Sequence, residues 1–138
     1  MLLLGGLMAS LGSAFAGDPE QPVVSIEATR RIAEETAAPL RRLDLVGDFT
    51  VNRTGSTELS LPVWLHVSGS ATPRTDYEAL PWLVTIPVGK SSVSVPVTAF
   101  YDKLPEGIET VTAQISNCPP ETKPPLGAPC YDFAIDPL

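Results

Sequence analysis

The sequence predicts an all-β protein, a seven-stranded antiparallel immunoglobulin-like β-sandwich. Apolar and polar residues alternate over several short segments, and the chain has 15 prolines and 10 glycines, many of them between those segments. Alternation with a period of two indicates strands with one buried face, and short strands at regular spacing are typical of sandwiches. A length of 138 residues fits one domain with its own core.

The first 16 residues differ from the rest and predict a secretory signal peptide. Residues 2–16 are apolar and end in Ala14-Phe15-Ala16, which resembles a cleavage site and is followed by polar residues. The segment is too short for a confident membrane span. No basic residue precedes the leucines, so we expect the natural start to lie upstream. The alternative is that the segment is not cleaved and anchors the protein in a membrane, and we expect no other contact with a membrane. The sandwich domain is assigned to residues 17–138.

Seven segments of the mature chain have the pattern of strands. They are residues 22–29, 49–53, 59–67, 84–88, 93–101, 111–115 and 131–135. Gly89-Lys90 predicts a tight hairpin turn, and residues 53–56 predict another turn. Residues 30–43 are helix-like but contain Pro39, so we expect an irregular connection there.

A few large or polar side chains lie on the outer faces of these predicted strands. Trp64 and His66 alternate with the leucines and valines of their strand, so we expect His66 to be partly exposed. Trp64 and Trp82 are expected to pack, with partner binding by an exposed aromatic as the alternative. Arg53, at a strand end, is expected to pair with a nearby acid.

Charge and composition exclude several function classes. The chain has 16 acidic and 9 basic residues, a net charge of −7, and one histidine. An acidic surface repels phosphate backbones, so we expect no nucleic-acid partner. A single histidine without a nucleophile motif or a set of metal ligands argues against hydrolytic or zinc catalysis, and we predict that the protein is not an enzyme.

The two cysteines, Cys118 and Cys130, enclose a proline-rich segment. In an oxidising compartment such a pair is most simply a disulfide that closes the loop, which would stabilise the fold by roughly 3 kcal/mol. The competing interpretation is a metal-binding thiol pair, which the single histidine and the absence of a CxxC motif disfavour.

Acidic residues cluster at the ends of the predicted strands. Asp76 follows the third strand, and Asp102, Glu106 and Glu109 lie between the fifth and sixth strands. Loops that are distant in sequence meet at the ends of a sandwich, and several close carboxylates repel unless a cation binds. Calcium accepts six to eight oxygen ligands in forgiving geometry, so calcium is the natural cation for such loops.

Several motifs together resemble the Calx-beta domain, a module of sodium/calcium exchangers, integrin β4 and many bacterial surface proteins. The similar segments are Phe-Thr-Val-Asn-Arg-Thr-Gly at 49–55, Gly69 to Thr72 followed by Thr75-Asp76-Tyr77, Ile86-Pro87 with Gly89, and Glu106-Gly107-Ile108-Glu109-Thr110-Val111. The resemblance covers about residues 22–136. It implies a seven-stranded sandwich with calcium among the carboxylates at one end.

The resemblance also implies a set of calcium ligands. They are Glu34 or Glu35 after the first strand, Asp76, Asp102, Glu106, Glu109 and, after the last strand, Asp136. Tyr101 stands where the family has a second carboxylate before Asp102, and the terminal acidic run is Asp136 alone. Fewer charged ligands imply fewer ions and weaker binding.

Two interpretations of these acids remain open. In the first, calcium binds and stiffens a secreted, periplasmic or cell-surface module for structural or adhesive contacts. In the second, Asp76 caps a turn, the glutamates are solvated, and the sandwich is a calcium-independent module that meets another protein or a second copy of itself. A protein partner or a homo-oligomer is expected in both cases.

Overall fold

The computed structural model describes residues 21–31, 46–100, 107–120 and 127–137. These residues form seven strands and no helix, so none of them belongs to a helix long and apolar enough to cross a membrane. The strands are β1 (Val23–Arg30), β2 (Val46–Arg53), β3 (Leu61–Ser68), β4 (Leu83–Ile86), β5 (Ser92–Thr98), β6 (Thr112–Ser116) and β7 (Ala134–Ile135). The predicted signal peptide and nearly all of the helix-like connection lie outside the described residues.

The seven strands form two sheets, which confirms the predicted all-β class and the β-sandwich architecture. One sheet has the strand order β5-β2-β1-β7 and the other has the order β4-β3-β6. Every pair is antiparallel except that β7 runs parallel to β1. A parallel neighbour needs a crossover connection, and the chain provides one because it passes from the second sheet back to the first between β6 and β7.

The core lies between the two sheets and contains the alternating apolar residues of the strands. Its buried members are Val24, Val51, Val63, Leu65, Tyr77, Leu80, Val84, Ile86, Val95, Val97 and Phe133. Burying each aliphatic side chain contributes about 1.5–3 kcal/mol relative to leaving it exposed. The polar residues between them face solvent, as the period of two predicts, and His66 is exposed on β3.

The third strand starts later than its apolar pattern predicts. Leu59 is 78% exposed, and β3 begins at Leu61. The carbonyl oxygen of Leu59 accepts a hydrogen bond from Nη1 of Arg53 at 2.7 Å. The same guanidinium donates to the carbonyl oxygens of Lys90 and Pro87. Arg53, which is 6% exposed, therefore binds three carbonyl groups rather than the acid expected from the sequence.

Residues 129–131, in the segment between β6 and β7, lie against the outer side of β3. Cys118 and Cys130 form a disulfide with their Cα atoms 4.2 Å apart, as predicted from the sequence. Near it, Asn117 accepts a hydrogen bond from the backbone N–H of Tyr131 and donates one to the carbonyl oxygen of Phe133. This segment covers Trp64, which points away from the core yet is buried.

Candidate functional site

A cavity of about 180 Å³ lies at one end of the sandwich and is lined by strands of the first sheet and by connections that lead to strands of the second. The last residues of β1, the first of β2 and the last of β5 contribute from one sheet. The connection between β3 and β4 and the residues before β6 contribute from the other side. The residues that line it are Ala28, Arg30, Arg31, Gly47, Asp48, Phe49, Ala71, Asp76, Tyr77, Val97, Ala99, Glu109 and Val111.

Asp76 is held at this cavity by backbone contacts on two sides. Its carboxylate oxygen Oδ2 accepts a hydrogen bond from the N–H of Thr72, and its own N–H donates to the carbonyl oxygen of Thr72 at 3.0 Å. Its carbonyl oxygen accepts from the N–H of Phe100 at 2.7 Å, which ties the turn to the end of β5. Asp76 therefore caps a turn, the structural role considered above, and also faces the cavity.

Tyr77 is the buried aromatic residue of the lining and is 3% exposed. Burial raises the pKa of its phenol, and the negative charge of Asp76 raises this pKa further. Its backbone pairs with Ala99, and the next N–H, of Glu78, donates to the carbonyl oxygen of Thr98. These contacts anchor the connection between β3 and β4 on β5.

Glu109 reaches the same cavity from the residues that lead into β6. The following residue, Thr110, is fixed to the end of β3, because its carbonyl oxygen accepts from the N–H of Ala71 at 3.1 Å. Its hydroxyl and N–H also make hydrogen bonds with Ser70. The structure thus brings Asp76 and Glu109, which come from different connections, to one cavity.

Asp136 lies elsewhere in the fold. Its N–H donates to the carbonyl oxygen of Val24, near the start of β1. Arg30, which lines the cavity, is at the other end of β1, on the order of 20 Å away along an extended strand. The two-residue strand β7 ends too early to bring Asp136 to the cavity. The predicted ligands Glu34, Glu35, Asp102 and Glu106 lie outside the described residues.

Sequence reasoning missed three charged residues of the lining, namely Asp48, Arg30 and Arg31. The carboxylate of Asp48 accepts hydrogen bonds from the hydroxyls of Thr29, at 3.1 Å, and Ser94. In the sequence Asp48 stands just before the predicted strand 49–53, and nothing in the pattern distinguishes it from an ordinary polar residue at a strand start. The register of β1 against β2 shifts between Ala28 and Arg30, and no local pattern signals this irregularity.

The donor chemistry of the cavity suits calcium, but the described residues do not complete a site. Asp76 and Glu109 offer carboxylate oxygens, the ligand type that calcium prefers. Within the described part of the chain no group of three or more His, Cys, Asp and Glu side chains could hold a metal ion. A calcium ion here would therefore also require ligands from outside the described residues, such as Asp102 and Glu106.

The tryptophans differ in exposure. Trp64 is 5% exposed beneath the segment that carries the disulfide, so it is a packing residue. Trp82 is 37% exposed and lines a second cavity, of about 390 Å³, together with His66 and Pro120. Of the two tryptophans, only Trp82 is exposed enough to contact a binding partner.

Comparisons with models of known protein families and with curated proteins found no match to this chain.

Proposed function

We propose that the protein is a secreted, periplasmic or cell-surface calcium-binding module, whose loop carboxylates at one end of the sandwich hold calcium and stiffen the domain for structural or adhesive contacts. The observation that carries this proposal is the meeting of Asp76 and Glu109 at one cavity. The disulfide supports the location, because disulfides persist in oxidising compartments.

The covalent chain limits where the remaining predicted ligands can lie. Ala99 and Glu109 both line the cavity, and the segment between them contains Asp102 and Glu106. Each of these acids is three residues along the chain from a lining residue, a covalent reach of about 11 Å at most. This reach supports a site built from Asp76, Asp102, Glu106 and Glu109.

Calcium would act here as a link between two connections, one within the second sheet and one that passes from the first sheet to the second. Asp76 precedes β4, whereas Glu109 precedes β6, and the hydrogen bond from Thr72 already orients the Asp76 carboxylate. A cation between these groups would offset their mutual repulsion in a chain whose net charge is −7. Because it would bind the folded state, it would also raise the free energy of unfolding.

The test is the melting temperature after exhaustive chelation, and then with calcium or magnesium added. At a calcium concentration of about 100 times the dissociation constant, binding adds about 2.7 kcal/mol to the free energy of unfolding, so we expect a rise of several degrees. The double variant Glu106→Gln/Glu109→Gln should lose this rise. The double variant Glu27→Gln/Glu58→Gln is the matched control, because it makes the same charge change at exposed acids outside the cavity.

Three outcomes would contradict the proposal. Calcium could leave the melting temperature unchanged, magnesium could raise it equally, or the control variant could lose the rise as completely as the cavity variant does. Asp76 is left intact in the test because removing its carboxylate would also remove the cap on Thr72.

A second candidate function is a calcium-independent structural or adhesive module. The observation that favours it is the presence of Arg30 and Arg31 in the same lining as the acids. Guanidinium groups at these positions offer positive charge without a metal ion. In this case calcium has no effect on the melting temperature, and Arg31→Gln lowers it. If calcium binds instead, Arg31→Gln should tighten calcium binding, since it removes a competing cation.

A further inference from the structure

Strand β6 is an edge of the second sheet, and no described strand pairs with its outer side. An edge strand presents unpaired N–H and C=O groups, and proteins normally blunt such edges with short strands, charges or prolines. The four edges of this sandwich differ in this respect.

Three of the edges have features that hinder pairing with a strand of another chain. Strand β4 is only four residues long, and a proline lies close to each of its ends, Pro81 before it and Pro87 after it. Strand β5 contains Pro96, and its end is paired with the connection at Tyr77. Strand β7 has two residues and is followed by Asp136-Pro137. By contrast, residues 110–117, which include β6, contain neither a proline nor a charged residue, and Tyr131 meets this edge at Asn117, beyond the last residue of β6.

The backbone direction of β6 follows from two hydrogen bonds. The carbonyl oxygen of Thr110 accepts from Ala71 on the β3 side, and that of Asn117 accepts from Tyr131 on the opposite side. Backbone groups of an extended strand alternate between its two sides. Residues 111, 113 and 115 therefore direct their N–H and C=O groups away from β3, toward the side on which no described strand pairs with β6.

We propose that a second copy of the chain pairs with this edge, so that two β6 strands run antiparallel about a two-fold axis at Ala113. The two three-stranded sheets would then form one continuous sheet across the dimer. An interface of this kind is isologous, because each copy contributes the same residues. The proposal is independent of calcium binding.

In this register the side chains of one β6 strand are complementary to those of the β6 strand of the second copy. On the inner face, Val111 lies opposite the partner subunit's Ile115, so an apolar side chain meets an apolar one. On the outer face, Thr112 lies opposite the partner subunit's Gln114, and both residues are exposed in one copy. Such cross-strand pairs stabilise sheets, whereas like charges directly opposite each other destabilise them. The absence of charge on the strand lets two acidic chains approach here, which favours a second copy over a charged partner.

The first experiment is sedimentation equilibrium of the purified full chain. We expect the wild type to have twice the chain mass and Ala113→Pro to have the mass of one chain. Proline at residue 113 removes an N–H that points out of the sheet, so the contacts within one copy are kept. Ser92→Pro, at the open side of β5, is the matched control and should stay dimeric.

The second experiment tests the register without relying on proline. Thr112→Lys/Gln114→Lys brings lysines opposite each other across the axis, and Thr112→Glu/Gln114→Glu does the same with glutamates. Each double variant alone should be monomeric, whereas their mixture should form a heterodimer visible by native mass spectrometry. A monomeric wild type, or a dimer that survives both Ala113→Pro and the lysine substitutions, would overturn the proposal.

Discussion

The indole Nε1–H of Trp64 donates a hydrogen bond to the carbonyl oxygen of Pro129 at 3.1 Å. The Trp64 ring also stacks on Tyr131, with ring centroids 6.2 Å apart. Pro129 is next to Cys130, so the disulfide and the tryptophan hold the same segment against the outer side of β3. This relationship explains why an outward-facing tryptophan is buried.

Removing the disulfide should loosen the segment over Trp64. We expect Cys118→Ser/Cys130→Ser to lower the free energy of unfolding by about 3 kcal/mol in urea titrations. In a Trp82→Phe background, where Trp64 is the one remaining indole, fluorescence emission should shift to longer wavelength because water reaches the ring. The same cysteine change in a Trp64→Phe background is the comparison, and it should give a smaller shift, because Trp82 is already 37% exposed. An unchanged maximum in both backgrounds would contradict this account.

The buried guanidinium of Arg53 should be essential to the turn region around Leu59 and Lys90. Arg53→Met keeps much of the side-chain volume but removes the guanidinium hydrogen bonds to three carbonyl oxygens, of which that of Pro87 still accepts from the N–H of Lys90. A hydrogen bond from a charged donor contributes about 1.5–3 kcal/mol, so we expect a loss of several kcal/mol in the free energy of unfolding. Arg74→Met, at an exposed arginine, should change it by less than about 0.5 kcal/mol. Equal losses in the two variants would rule out a special role for Arg53.

Gly69 should tolerate no side chain. Its φ is +131°, and a Cβ at this position would lie 2.1 Å from the carbonyl oxygen of Thr110. We expect Gly69→Ala to cost about 1–3 kcal/mol, because the backbone at Thr110 must shift. Gly107→Ala is the control, since no atom of the described residues beyond its chain neighbours lies within 4 Å of its Cβ position. Thermal unfolding of both variants checks this, and a Gly69→Ala protein as stable as the control would contradict it.

The raised pKa of Tyr77 predicts a loss of stability in alkali. Its folded-state pKa exceeds the value of about 10 in the unfolded chain, mainly because the phenol is buried. The resulting contribution to stability is complete below about pH 10 and is lost as the pH rises through the folded-state pKa. The free energy of unfolding should therefore fall more steeply above about pH 10 in the wild type than in Tyr77→Phe. Parallel slopes in urea titrations across this range would contradict the prediction.

Much of the fold could be predicted because strand formation depends on local pattern. The alternation in residues 93–97, the turn at Gly89 and the cysteine pair around a proline-rich segment all correspond to observed features. Strand ends were less predictable. The apolar pattern extends to Leu59, but the carbonyl of this residue binds Arg53 from a neighbouring strand, which a local pattern does not reveal.

The sequence by itself determined the class of the protein: short half-buried strands, one disulfide and acidic connections at the strand ends. Only the tertiary structure decided which of these connections meet. It places Asp76 and Glu109 at one cavity with Arg30 and Asp48, and it places Asp136 beside Val24 near the other end of β1. The physical reason is that periodicity acts over a few residues, whereas the neighbours of a side chain depend on strand order and register across the whole sandwich.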